Sequence, residues 1–376
     1  MIPFNEPCFI GKELEYMKKA VESKHISGRG EFSKKVSKLM EKEFNSNKIL
    51  LTSSGTDALE MAALLCNVNE GDEVIMPSYT FVSTANAFAL RGSKIIFVDV
   101  KPETMNMDEE LVKSALTEKT KVIVPVHYAG LSPDMDKISK IASDNDIFVV
   151  EDAAQSVMSK YNNKYLGTIG DIGCYSFHET KNYTSAGEGG AVSINNSKLI
   201  ERAEIIFEKG TNRSKFFKGE VEKYSWIDIG SSFAMADTNA AYLLYQLENK
   251  EKINKKRLKI WNLYYDKLNE LKERNLIELP YIPEYSTHNG HMFYIKVSDL
   301  KERDNLITYL FENDIKSVFH YVPLHSSRAG KIFGEFRGVD RYTTFESSRI
   351  LRLPMYYNLS YKQVEYICEK IKEFYR

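Results

Sequence analysis

The chain has 376 residues, more than one compact core usually holds, so two domains are expected. Lys+Arg number 51 against Asp+Glu 52, a net charge of -1, which excludes the global basic field of a nucleic-acid binder. No apolar run reaches membrane-spanning length, and MIPFNEPCFIGKELE lacks the basic and apolar regions of a signal peptide, so a cytoplasmic location is expected.

A helix is predicted from Glu13 to Ser23 and a second one through Phe44, with the turn Ser27-Gly28-Arg29-Gly30 between them. Taken alone, that turn is punctuation. Lys48-Ile49-Leu50-Leu51 reads as a strand, followed by Thr52-Ser53-Ser54-Gly55-Thr56 and an apolar helix from Asp57 to Cys66. Strand, small-residue loop and helix together offer free N–H groups and a positive dipole end to an anion. The same Ser and Thr residues would also cap an ordinary helix. After a strand at Glu73–Met76, the segment Ser78–Thr84 opens a helix with Tyr79 and Phe81 near its start. Either aromatic could be core, or could stack on a flat ring.

Strands at 94–100 and 121–126 then alternate with helices at 108–116 and 135–143. This alternation predicts right-handed βαβ units and a mostly parallel sheet between helices, an α/β fold. His127 closes one strand and is expected beside a pocket, outside the chemistry. Four scattered cysteines, Cys8, Cys66, Cys174 and Cys368, show no pairing or metal spacing.

The most informative stretch runs from Ile147 to Gly190. Ile147-Phe148-Val149-Val150 is a continuous apolar run, as in a strand buried on both faces, and Glu151-Asp152 follows it directly. Carboxylates there stand at the carboxyl edge of the sheet, where open α/β folds bind ligands. Residues 157–170 suggest a hairpin around Tyr161-Asn162-Asn163-Lys164. A second strand, Cys174-Tyr175-Ser176-Phe177, leads to a polar loop with Lys181 and then Gly187-Glu188-Gly189-Gly190. A lysine and a buried acid are what pyridoxal 5′-phosphate (PLP) needs, the first for a Schiff base and the second for its ring nitrogen. Either residue alone would more often be a loop lysine or a helix cap.

The order of three motifs decides between these readings. Glu151-Asp152-Ala153-Ala154-Gln155, then Ser176-Phe177 with Lys181, then Gly187-Glu188-Gly189-Gly190 resemble the DegT/DnrJ/EryC1/StrS family of sugar aminotransferases. The resemblance implies a fold type I PLP-dependent aminotransferase, with a large domain at 1–245 and a small α/β domain at 246–376. It implies catalytic roles for Lys181 and Asp152, and cofactor contacts from Gly55, Thr56, Phe81 (preferred over Tyr79), Gln155, Ser176, Asn212 and Ser232. Substrate contacts are implied for Ser27, Gly28, Tyr183, Arg213, His320 and Tyr321. The implied partners are a nucleotide-linked 4-keto sugar, L-glutamate as amino donor, and a second copy of the chain that shares the active sites. Related sugar dehydratases carry histidine where Lys181 stands. A regulator without catalysis is disfavoured by the neutral charge and the lack of a helix-turn-helix.

Beyond Gly190 a strand at 191–194 and a helix through Phe207 precede a polar, aromatic region up to Gly230, which the resemblance sends toward a partner subunit. Ser232 and Ala234 stand where most of the family has N-x-R, a departure shared by the subgroup forming dTDP-4-amino-4,6-dideoxygalactose. A long helical region is predicted from Ala240 to about Arg274, then a strand at 291–297, a helix at 303–313 and a strand at 317–322. His320-Tyr321-Val322-Pro323-Leu324-His325 and Leu351-Arg352-Leu353-Pro354 complete the likeness. No carboxylate or cysteine partners His320 and His325 at metal-ligand spacing, and no metal is expected.

Overall fold

The computed structural model describes residues 1–217 and 219–376. Its centre is an eight-stranded sheet built from β1 (Lys48–Thr52), β2 (Glu73–Pro77), β3 (Lys94–Val98), β4 (Thr120–Ile123) and β5 (Phe148–Asp152). After a hairpin of β6 (Lys160–Tyr161) and β7 (Lys164–Tyr165), β8 (Ile172–Ser176) and β9 (Gly190–Ile194) complete its near half. The hairpin turns on Asn162 and Asn163, both at positive φ, which a two-residue turn requires.

Three later strands are short: β10 (Ser286–Thr287), β11 (Phe293–Lys296) and β12 (Gly334–Phe336), and β13 (Ile350–Leu353) follows. The order across the large sheet is β1-β9-β8-β5-β4-β2-β3-β12. β9 runs opposite to the other seven strands described in this sheet, which are parallel to one another. Strands buried on both faces need apolar residues throughout, and β2, β8 and β9 are buried along their whole length. Helices such as Gly55–Leu65, Val82–Ala89 and Met135–Asp144 cover the two faces.

A second core gathers around the antiparallel pair β11–β13, where Trp261, Tyr264, Phe293, Leu351 and Ile367 meet under the helices 250–273 and 361–374. A division at 245/246 remains a proposal, and at least three segments cross it, β10 by pairing with β6. Ile2 pairs with Ile315 in the second core, while β12 joins the edge of the first sheet beside β3.

The helical region expected from Ala240 to Arg274 forms as two helices, Asp237–Glu248 and Lys250–Glu273, which meet at Asn249 with φ −109° and ψ 20°. The strand expected at 317–322 does not form. Val318 makes one two-way bridge with Arg352, and the chain then leaves the sheet toward Pro323. Among the described residues no helix is long and apolar enough to cross a membrane.

Candidate active site

β5 delivers its two carboxylates to opposite faces, as strand alternation demands. Glu151 is fully buried and accepts N–H bonds from Gly167, Ile169 and Gly170 at 2.6–2.7 Å, with His127 Nε2 at 2.8 Å. It therefore pins the loop between β7 and β8, and His127 belongs to this staple. Asp152, 6% exposed, turns the other way into a cavity of about 560 Å³. Its oxygens accept from the Thr84 hydroxyl at 2.7 Å and the Ala154 N–H at 3.1 Å.

Lys181 reaches the same cavity from the loop after β8. Burial of its amino end, against the attraction of Asp152 and helped by the repulsion of Arg352, lowers its pKa to about 8. Gln155 anchors that wall, with Oε1 accepting from the Ala129 N–H at 2.8 Å and Nε2 donating to the Tyr321 hydroxyl at 3.2 Å.

The floor is the start of helix Gly55–Leu65. Ser54 caps it by accepting from the Asp57 N–H at 3.0 Å, while the first-turn N–H groups of Gly55 and Thr56 have no intrahelical acceptor. A Cβ at Gly55 would sit 2.8 Å from Ser176 Cβ, so glycine keeps a small cradle open between this helix end and Ser176. Thr56 Oγ1 lies 2.8 Å from Ser83 Oγ on the cradle's rim.

Aromatic residues close the far side. Phe81 lines the cavity and is 56% exposed, whereas Tyr79 is buried with its hydroxyl donating to the His320 carbonyl oxygen. Tyr321 stacks on His320 with centroids 5.1 Å apart. Burial, with the nearby Arg352 and Lys181 charges, pulls the His320 pKa to about 4, so its ring is neutral and Nδ1 can accept from Arg352. Burial also forces the Tyr321 hydroxyl up to about 12, leaving it a neutral donor.

Gly55, Thr56, Phe81, Asp152, Gln155, Ser176, Lys181, His320 and Tyr321 thus share one cavity. Tyr183 is a correction. It is 1% exposed in the core beneath the lysine loop, and its hydroxyl donates to the Lys250 carbonyl at 3.2 Å. Asn212 closes its own loop. Its amide accepts from the Ser225 N–H at 2.8 Å and donates to the Lys223 carbonyl at 3.0 Å, so loop closure uses both ends.

Ser27, Gly28, Arg213 and Ser232 lie outside the cavity, but together. Gly28 abuts Ala234 so closely that a Cβ would come within 2.4 Å of the Ala234 Cβ. Arg29 pairs with Glu208 and donates to Ser214 at 3.0 Å, and Glu208 bridges Ser232. Arg213, on a short helix Arg213–Phe217 in a region read as irregular, lies 3.8 Å from Glu208. Thr84 and Arg352 went unnoticed in the sequence, although an arginine inside the apolar run Ile350-Leu351-Arg352-Leu353 was a signal.

A lysine and an uncompensated acid at the carboxyl ends of parallel strands, above a helix N-terminus with a glycine cradle, define a PLP-dependent aminotransferase. The donor set fits that cofactor: a cradle for its phosphate, a buried carboxylate without a cationic partner for its ring nitrogen, and a lysine with depressed basicity for its aldehyde. The chain belongs to the DegT/DnrJ/EryC1/StrS aminotransferase family, which matches residues 7–372. It is 32% identical over 378 residues to the GDP-perosamine synthase of Escherichia coli O157:H7, covering 100% of this chain and 98% of that protein. A DegT DnrJ EryC1 StrS aminotransferase from Brucella abortus superposes with a TM-score of 0.88 at 29% identity, over 96% of this chain and 95% of that one. Spr1654 from Streptococcus pneumoniae, solved in a PLP-form, gives 0.88 at 26% identity over 99% and 98% of the two chains. The protein is a PLP-dependent sugar aminotransferase of α/β fold.

Proposed function

We propose that Lys181 and Asp152 run amino transfer from L-glutamate to C4 of dTDP-4-dehydro-6-deoxy-D-glucose, giving dTDP-4-amino-4,6-dideoxy-D-galactose for a surface polysaccharide. The observation that carries the chemistry is the convergence of these two side chains in one cavity. Bound PLP would supply an electron sink for the carbon that carries the nitrogen. Lys181 Nζ, with its depressed basicity, takes a proton from that carbon and returns it on the acceptor. Asp152 keeps the ring nitrogen protonated, Gly55, Thr56 and Ser176 hold the phosphate, and Phe81 covers the ring.

The choice of sugar rests on Ser232 and Ala234, the departure from N-x-R. Relatives named GDP-perosamine synthase favour a second reading, a GDP-linked keto sugar in the same site. Product NMR from both nucleotide sugars tests the proposal. A small H3–H4 coupling from the dTDP substrate fits the axial galacto amine, a large one means the gluco isomer, and turnover of the GDP sugar alone contradicts the base.

The enzyme works in the cytoplasm as a homodimer with shared sites. Support comes from the surface cluster of Ser27, Gly28, Arg213 and Ser232 and from the exposed apolar Phe217, Trp226 and Ile227 beside it. Mixed subunits of Lys181→Ala and Arg213→Ala should regain activity. No recovery despite proven subunit exchange contradicts sharing.

A further inference from the structure

Arg352 sits on β13, where alternation sends Leu351 and Leu353 into the second core and turns Ile350 and Arg352 toward the cleft. Its backbone is fixed on both sides by reciprocal hydrogen bonds with Val318 and by pairing with Tyr294. The guanidinium packs over the Phe4 ring, with its carbon 5.1 Å from the centroid. Arg352 is 9% exposed and lines the cavity that holds Lys181.

The partners of this cation are few. Among the described residues its one side-chain hydrogen bond runs from Nη1 to the neutral His320 ring, and no carboxylate lies within ion-pair distance. Nε is buried with no hydrogen-bond partner among the described residues. A buried charge left this way is costly unless a ligand completes it. Guanidinium N–H groups form a fixed fork that matches a carboxylate.

We propose that Arg352 is the group that binds the α-carboxylate of the amino donor. The proposal rests on the aminotransferase reading of the site and adds a specificity residue to it. Two other anions enter this cavity, and neither fits the position. The cofactor phosphate is served by Gly55, Thr56 and Ser176, on the helix floor of the large sheet, while Arg352 stands on the small-domain wall with His320, Phe4 and Tyr321. The diphosphate of a sugar nucleotide is separated from the reacting C4 by the width of the pyranose. A donor's α-carboxylate is bonded to the carbon that bears the nitrogen, and that carbon must lie beside Lys181, whose amino group feels the Arg352 charge. Beside C4 the acceptor sugar brings a hydroxyl and the C6 methyl group but no anion, so Arg352 serves one of the two half-reactions.

The test separates those halves in the holoenzyme. For Arg352→Met, kcat/KM for glutamate, read from the cofactor absorbance change in single turnover, should fall about 100-fold or more, the scale of truncating one partner of a buried charge pair. The kcat/KM for the keto sugar, measured on the aminated enzyme, should stay within about threefold. The dissociation constant of glutarate, a dicarboxylate that cannot react, should rise in parallel, and Arg352→Lys should recover part of both losses. The wild-type preference for glutamate over its α-amide, isoglutamine, should collapse in Arg352→Met.

Equal losses in both half-reactions, or unchanged glutarate binding, would overturn the proposal. A variant that does not fold is replaced by Arg352→Lys, whose donor and acceptor constants are judged by the same split. If glutamate fails to convert the wild-type cofactor, glutamate is the wrong donor, and the comparison is made with the amino acid that succeeds and its α-amide.

Discussion

The Thr84 hydroxyl donates to Asp152 Oδ2 at 2.7 Å, and the carboxylate's other oxygen takes the Ala154 N–H, so both partners of this buried acid are neutral. Its negative charge is thereby oriented without being cancelled, and a protonated ring nitrogen would complete it. Asp152→Asn should lower kcat by about two to four decades, the rate equivalent of roughly 3–5 kcal/mol for a broken buried pair. Thr84→Val removes one hydrogen bond to the carboxylate, worth about 1.5–3 kcal/mol, and should cost about one to two decades. Steady-state kinetics on cofactor-saturated enzyme checks both, and near-normal turnover in Asp152→Asn would show that another group supports the ring.

Gly55→Ala should weaken cofactor binding more than it disturbs the fold. The new Cβ would press on Ser176 at 2.8 Å and narrow the cradle, while alanine suits the first turn of a helix. Equilibrium titration should give a PLP dissociation constant at least about tenfold higher, with an apoprotein unfolding midpoint lowered by the shift forced at Ser176. An unchanged constant would place the phosphate elsewhere.

Glu151 is predicted to matter for stability and not for chemistry. It accepts three backbone N–H groups and the His127 ring in a fully buried site. Glu151→Gln sets an amide N–H₂ against some of these donors and should cost about 3 kcal/mol in urea unfolding. The variant's cofactor spectrum should be retained at low temperature.

Lys181 makes the apoprotein's stability depend on pH. Burial holds its pKa at about 8 against an ordinary value of 10.5. Below about pH 8 the folded chain carries a buried ammonium at a cost on the order of 3 kcal/mol. Between the two values the unfolded chain binds more protons than the folded one, so stability rises with pH across this window. Apo Lys181→Met should therefore exceed wild type in melting temperature at pH 7, and the gap should narrow from pH 8 to 10.5. A gap that widens instead would contradict the assignment.

What could be read from the chain was local. Asp152 and Lys181 were legible because a buried run that ends in acid and a lysine between a strand and a glycine stretch lie close together in sequence. The parallel sheet followed from alternating elements, and the Asn162-Asn163 hairpin from residues that tolerate positive φ. Arg352 escaped because its meaning comes from β13's register with β11 and from Phe4 and His320, which lie far apart along the chain. β12 is too short to carry a pattern and is held as a strand only by β3.

Lys181 is the residue proposed to carry the cofactor. Borohydride reduction of the purified holoenzyme, followed by peptide mapping, tests it most directly. A single pyridoxyl group is expected on the peptide containing Lys181, and none after Lys181→Ala. Label on Lys160, Lys209 or another lysine, or undiminished labelling of the variant, would contradict it.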